Sequence, residues 1–216
     1  TRLSELASQY GVRLVGGDTT KGPLTLSIQV HGWIKPGKAL LRSGAQPGDR
    51  IFVTGTLGDS RGGLETVLKH LVGEQVPYLQ KRFFNPEPRL DTALLISDFA
   101  TSAIDISDGL LADLSHILQA SKVGAMLNPA ELPVSQSLYR WVGEKQAREW
   151  ALGGGEDFEL CFTVPLLAEP KLAWALREHD VAVTCIGQIT ETPGIVLAEE
   201  GKVWSVEPQG YNHFSD

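Results

Sequence analysis

The chain has 216 residues, 42% hydrophobic and 21% charged, with a formal net charge of −7. That length buries a sizeable core, as one large domain or as one domain plus a fragment, and the composition is ordinary for a globular protein. The acidic balance, with no run of Lys or Arg, argues against a nucleic-acid partner, and no apolar stretch is long enough to span a membrane.

In chain order, residues 1–5 are polar and carry no signal-peptide pattern, and position 1 is not Met. An amphipathic helix begins at once, over residues 3–10, and Gly11 suits its C-terminal cap. The expectation is a fragment, a chain entered part-way. Residues 12–15 predict a short strand, broken by Gly16-Gly17-Asp18-Thr19-Thr20. Residues 24–33 alternate, with Leu24, Leu26, Ile28 and Val30 on one side and Thr25, Ser27, Gln29 and His31 on the other. That pattern predicts a half-buried, antiparallel strand. Pro36-Gly37 and Pro47-Gly48-Asp49 bracket the best candidate domain boundary.

Residues 50–54 predict a strand, followed by a glycine-rich turn and a helix through Leu64, Val67, Leu68 and Leu71. Residues 74–88, with three prolines, predict loop. Residues 89–99 predict a helix, then a strand ends near Ile106, and Leu110, Leu111, Leu114, Ile117 and Leu118 mark another helix. Further strands are predicted over 159–164, 181–189 and 195–198, with a helix around 172–177. Helices and strands mix without a strict βαβ rhythm, so the expected class is α+β. Cys161 and Cys185 lie in apolar, strand-like runs and predict buried, reduced thiols of a cytosolic protein.

Four strings could carry chemistry. In Asp105-Ile106-Ser107-Asp108-Gly109, Asp105 and Ser107 share one strand face, Asp108 falls at the strand-to-helix turn, and Gly109 permits the turn. Two carboxylates and a hydroxyl near a helix N-terminus suit Mg²⁺ and phosphate. A plain helix cap by Asp108 explains the same string equally well. Gly16-Gly17-Asp18-Thr19-Thr20 is a second acidic turn, in ordinary turn vocabulary when taken alone. Gly55-Thr56-Leu57-Gly58-Asp59-Ser60 lacks phosphate-loop spacing, so Asp59 or Ser60 is expected to cap a helix. Gly153-Gly154-Gly155-Glu156-Asp157-Phe158-Glu159 is either a flexible turn presenting Glu156 and Asp157 to a cation or a plain β-turn. Arg42 beside Gly44 suits a phosphate oxygen, although exposed Arg is common, and Tyr211 and His213 form an aromatic tail. No nucleophile elbow, Cys–His pair or zinc spacing is present, which disfavours hydrolase and zinc-enzyme chemistry.

Taken together, these strings, with Leu41-Arg42-Ser43-Gly44-Ala45 and Gly210-Tyr211-Asn212-His213-Phe214, resemble the thiamine-monophosphate kinase family in order and spacing across nearly the whole chain. The wider superfamily includes aminoimidazole ribonucleotide synthetase and selenophosphate synthetase. The resemblance implies an α+β fold: a mixed β-sheet with packed helices, aminoimidazole ribonucleotide synthetase-like, over residues 37–216. Residues 1–36 would be a remnant of the N-terminal α/β, ATP-binding domain. It implies ATP-dependent phosphorylation of thiamine monophosphate to thiamine diphosphate, with Mg²⁺, in the cytoplasm and in a full-length homodimer. Gly17, Asp18, Arg42 and Ser107 would then contact ATP, Asp18, Asp105 and Asp108 would hold Mg²⁺, and Glu156 and Tyr211 would bind thiamine monophosphate. No general base is implied, because the acceptor phosphate is already largely dianionic at neutral pH. Two departures stand out: the family's N-terminal region is missing, and Asn212 replaces a frequent Asp. The fragment alone is therefore expected to be weakly active or inactive. The alternatives are a non-catalytic binding or assembly fragment and a sibling ATP-dependent synthetase.

Overall fold

A computed structural model describes residues 2–208 and 210. The chain divides into two units, Thr1–Ile34 and Lys35–Asp216. The first holds helix α1 (Arg2–Gln9), closed by backbone bonds from Gly11 and Val12 back into its last turn. Neither predicted strand of this unit forms. Leu24 and Leu26 are 95% and 88% exposed. The alternation is there, but no described residue pairs with it, and an unpaired extended segment leaves its backbone groups to water.

The second unit runs β1 (Arg50–Thr54), α2 (Asp59–Leu68), α3 (Val76–Phe84), α4 (Leu90–Ile96), β2 (Ser102–Ile106), α5 (Leu110–Ser121), β3 (Gly124–Leu127), α6 (Gln136–Gly153), β4 (Glu159–Val164), α7 (Glu169–Glu178), β5 (Val183–Thr190), β6 (Gly194–Glu199) and β7 (Lys202–Val206). Helix α3 corrects the loop expected over 74–88. Pro77 lies in its first turn, where a missing N–H breaks no helical bond. Among the described residues seven strands form one sheet, ordered β2-β4-β1-β5-β3-β6-β7, in which β3 and β6 pair in parallel and the other neighbours antiparallel. The α+β expectation holds.

Side chains alternate across this sheet, so β1, β2, β4 and β5 feed two cores. Ile51 and Val53 of β1 join Ile104, Ile106, Cys161 and the inner face of α5. Phe52, between them, stacks on Phe162 at 5.5 Å and joins Ile96 of α4 and Leu172 of α7. Burial pushes the Cys161 thiol up to about 12, so it is an inert core group. No helix among the described residues is long and apolar enough to cross a membrane.

The register places the site. β4 lies between β2 and β1 and runs antiparallel to both, with Ile106 opposite Glu159 and Val53 opposite Cys161. The start of β4 therefore sits between the ends of β2 and β1. Three turns meet at that sheet edge: the one after β2, the one before β4 and the one after β1.

Candidate functional site

The turn after β2 is held from inside. Asp113, four residues into the next helix, takes the backbone N–H groups of Ser107, Asp108 and Gly109 on one carboxylate oxygen, at 2.9, 2.9 and 3.1 Å. Burial raises the Asp113 pKa, the three N–H donors oppose that shift, and the neighbouring Asp108 adds to it. The cap position of α5 belongs to Gly109, whose φ of 125° and ψ of 149° favour glycine. Asp105 is exposed, and Ser107 and Asp108 are half-buried.

The turn before β4 lies directly on the turn after β2. Glu156 donates its N–H to the Ser107 carbonyl and Phe158 donates to the Ile106 carbonyl, both at 2.8 Å. A Cβ at Gly155 would fall 2.5 Å from the Ser107 oxygen, so glycine here serves close approach rather than flexibility. Glu156 and Phe158 both take left-handed backbone conformations, with φ of 69° and 51°. Non-glycine residues hold such angles only where the surroundings impose them. Glu156 is exposed at this turn. Asp157 is not, which corrects the expectation that both acids face a ligand. Its carboxylate is buried and accepts the Gly58 and Ser60 N–H groups at 2.6 and 3.1 Å. Burial pushes the Asp157 pKa up to about 7, against the pull of these two donors, while Asp59 raises it further and Arg82 lowers it.

The turn after β1 is therefore capped from far along the chain. The expected cap by Asp59 or Ser60 is corrected: the N-cap of α2 is Gly58, and Asp157 accepts from the N–H groups of Gly58 and Ser60 there. Asp59 faces inward and accepts from Thr56, Tyr78 and Ser135. Beneath the three turns, buried Glu159 accepts from Thr54, Arg82 and the Nε and Nη2 donors on one edge of the Arg89 guanidinium. Burial raises the Glu159 pKa, but these partners outweigh it and hold the carboxyl below its ordinary value.

The turns enclose a hollow of about 580 Å³, lined by Arg61, Phe83, Ser107, Asp108, Gly154 and Glu156 among others. Arg61 lies 5.7 Å from the Trp150 ring and pairs with Glu65 at 2.5 Å. Sequence alone singled out neither Arg61 nor Phe83, since both belong to helices that strand-and-turn motifs do not cover.

Ser107, Asp108 and Glu156 thus come together, with Asp105 one strand pleat away. Arg42 does not join them. Its carbonyl is held by Ser121, at the opposite end of α5 from Gly109 and about 18 Å along the helix axis. Gly17 and Asp18 belong to the first unit, where the Asp18 carboxylate accepts from the Thr19 N–H. Tyr211, with Asn212 and His213, lies outside the described residues. Among the described residues no three His, Cys, Asp or Glu side chains form a ready-made metal cage. An ion held by one or two carboxylates and phosphate oxygens does not require one.

The model of the AIR synthase related protein C-terminal domain matches residues 46–199. Thiamine-monophosphate kinase of Escherichia coli K12 is 46% identical over 99% of this chain and 67% of its own length. The chain belongs to the thiamine-monophosphate kinase family. It spans about two thirds of the length of the curated relatives it matches. The crystal structure of the Stenotrophomonas maltophilia K279a member superposes with a TM-score of 0.82 at 37% identity, covering 92% of this chain and 65% of that one. AaThiL complexed with AMPPCP and TMP gives 0.69 at 37% identity, covering 81% and 54%. Family members thus share the sheet whose edge gathers the three turns.

Proposed function

We propose that the protein transfers the γ-phosphoryl group of ATP to thiamine monophosphate, making thiamine diphosphate and ADP. The observation that carries this reading is the convergence of the Ser107–Asp108 turn and the Glu156 turn on one hollow. One wall presents a hydroxyl and a carboxylate beside a helix N-terminus, suited to a nucleotide phosphate. The adjoining turn presents an exposed carboxylate, suited to the cationic thiazolium, and Phe83 adds an aromatic side chain to the lining. The names of the relatives and the bound AMPPCP and TMP of AaThiL support the same pairing.

Asp105, exposed on β2, and Asp108 are hard oxygen donors at one strand end, and the chemistry of this set fits Mg²⁺. Bound there, the ion would neutralise charge between the two polyanions. Asp18 would also hold Mg²⁺. Gly17, Asp18, Arg42 and Ser107 would contact ATP, and Glu156 and Tyr211 would orient thiamine monophosphate. An oxygen of the acceptor phosphate attacks the γ-phosphorus, the bond to the β-phosphate oxygen breaks, and ADP leaves. The acceptor needs no deprotonation, so this chain contributes positioning and electrostatics rather than a base. Residues 1–36 would be the remnant of an ATP-binding domain, and the whole protein a cytoplasmic homodimer.

Calorimetry tests the substrate side. Thiamine monophosphate should bind the chain at least about tenfold tighter than thymidine monophosphate, which lacks the thiazolium that Glu156 would pair. Equal affinities would remove the basis for this reading. Tight binding with no ADP release, even after the N-terminal region of the Escherichia coli relative is joined on, would favour a binding module instead.

A further inference from the structure

The Glu156 turn is unusual in how it is fixed. Two left-handed residues, Glu156 and Phe158, flank the fully buried Asp157. The backbone on either side is tied to β2, through Glu156 to Ser107 and Phe158 to Ile106. The side chain between them is tied to α2, through Gly58 and Ser60, at sequence separations of 99 and 97 residues. A carboxylate that receives two N–H bonds at a helix N-terminus makes strong, directional, charge-assisted contacts. Its direction is fixed by α2, and the β2 bonds fix the backbone, so Glu156 keeps its left-handed angle. The Glu156 side chain is exposed, so burial of that side chain does not impose the angle.

We propose that Asp157 is a positioning residue: its buried carboxylate pins the turn to the N-terminus of α2 and so holds Glu156 at the rim of the hollow in the orientation that receives the cationic part of the substrate. This rests on the thiamine monophosphate reading above. Asp157 touches no substrate in this scheme and acts through Glu156. The same anchor orders Ser60 and Arg61, which line the hollow from the α2 side.

The test uses the full chain with Asp157→Ala, which removes both acceptors, and Asp157→Asn, which keeps one acceptor oxygen. Amide exchange should quicken at Glu156, Phe158, Gly58 and Ser60 in the Ala variant, while β5 and β6 keep their protection. Affinity for thiamine monophosphate should fall at least tenfold and affinity for Mg·ATP less than twofold, with Asn between Ala and wild type. Glu156→Gln should weaken thiamine monophosphate binding in the wild-type background but add almost nothing to Asp157→Ala, because the two residues act as one device. Unchanged exchange at Glu156 and Phe158, or equal loss of both ligands, overturns the proposal. If Asp157→Ala does not fold, Asp157→Asn decides by the same two readouts. A wild-type chain that binds no thiamine monophosphate, while the variant still frees the two amides, overturns the substrate reading and leaves the anchoring role supported.

Discussion

The acids at the sheet edge fall into two layers that differ in almost every physical respect. The inner layer, Asp113, Asp157 and Glu159, is buried and fully engaged with backbone N–H groups or with Arg82 and Arg89. The outer layer, Asp105, Asp108 and Glu156, is exposed or half-buried and follows the turns the inner layer holds. Asp157 and Glu156 are neighbours in sequence, yet one caps a helix from across the fold and the other lies at the rim of a hollow. An acidic string therefore does not say which of its members meets a ligand. The backbone angles and the partners decide.

If the inner layer holds structure, breaking it should destabilise the chain. Glu159→Ala leaves two guanidinium groups facing each other with no carboxylate between them, and should lose about 3–5 kcal/mol in urea denaturation. If the outer layer is functional, breaking it should spare stability. Asp108→Asn should cut thiamine monophosphate-dependent ADP release by at least about 100-fold, the scale of losing one electrostatic contact to a transferring phosphoryl group. Its unfolding midpoint should stay with the wild type. Glu156→Gln, an isostere without charge, should raise the KM for thiamine monophosphate about tenfold with kcat nearly unchanged, the mark of lost substrate binding.

The smallest effect is on pH. Asp157 titrates near 7 in the fold and near 3.8 when free, so the folded chain binds this proton more tightly. Its contribution is therefore fully present below about pH 4 and is lost as pH rises to 7, at up to about 1.4 kcal/mol per pH unit. Glu159, held below its ordinary value, works in the opposite sense, and only below pH 4.5. Comparing wild type with Asp157→Asn between pH 5 and 8 by urea denaturation isolates the first effect. A wild-type curve parallel to the variant's would contradict it.

Much of the second unit was legible in sequence because its elements have strong periods. The α5 stripe and the apolar runs of β1 and β4 form where expected. α3 was hidden by prolines that sit harmlessly in a first turn. α6 was hidden by a weak stripe and by Gly143, whose φ of 77° interrupts the helix. β7, with four of its five residues exposed, has no core face to betray it. The clean alternation over 24–33 misled for the opposite reason, since pattern without a pairing partner makes no strand. At the site, the 105–109 turn and Glu156 were legible as turn chemistry. Asp113 showed only the faint signal of an acid one helical turn past Gly109. The destination of Asp157 could not be read at all, because its partners are nearly a hundred residues away.

The most direct test is thiamine monophosphate-dependent ADP release by this chain joined to the N-terminal region of the Escherichia coli relative, measured beside its Asp108→Asn form. The division into holding and presenting acids predicts turnover in the first and near-zero turnover in the second, with identical unfolding curves. Equal turnover in both, or an Asp108→Asn chain that unfolds, would contradict it.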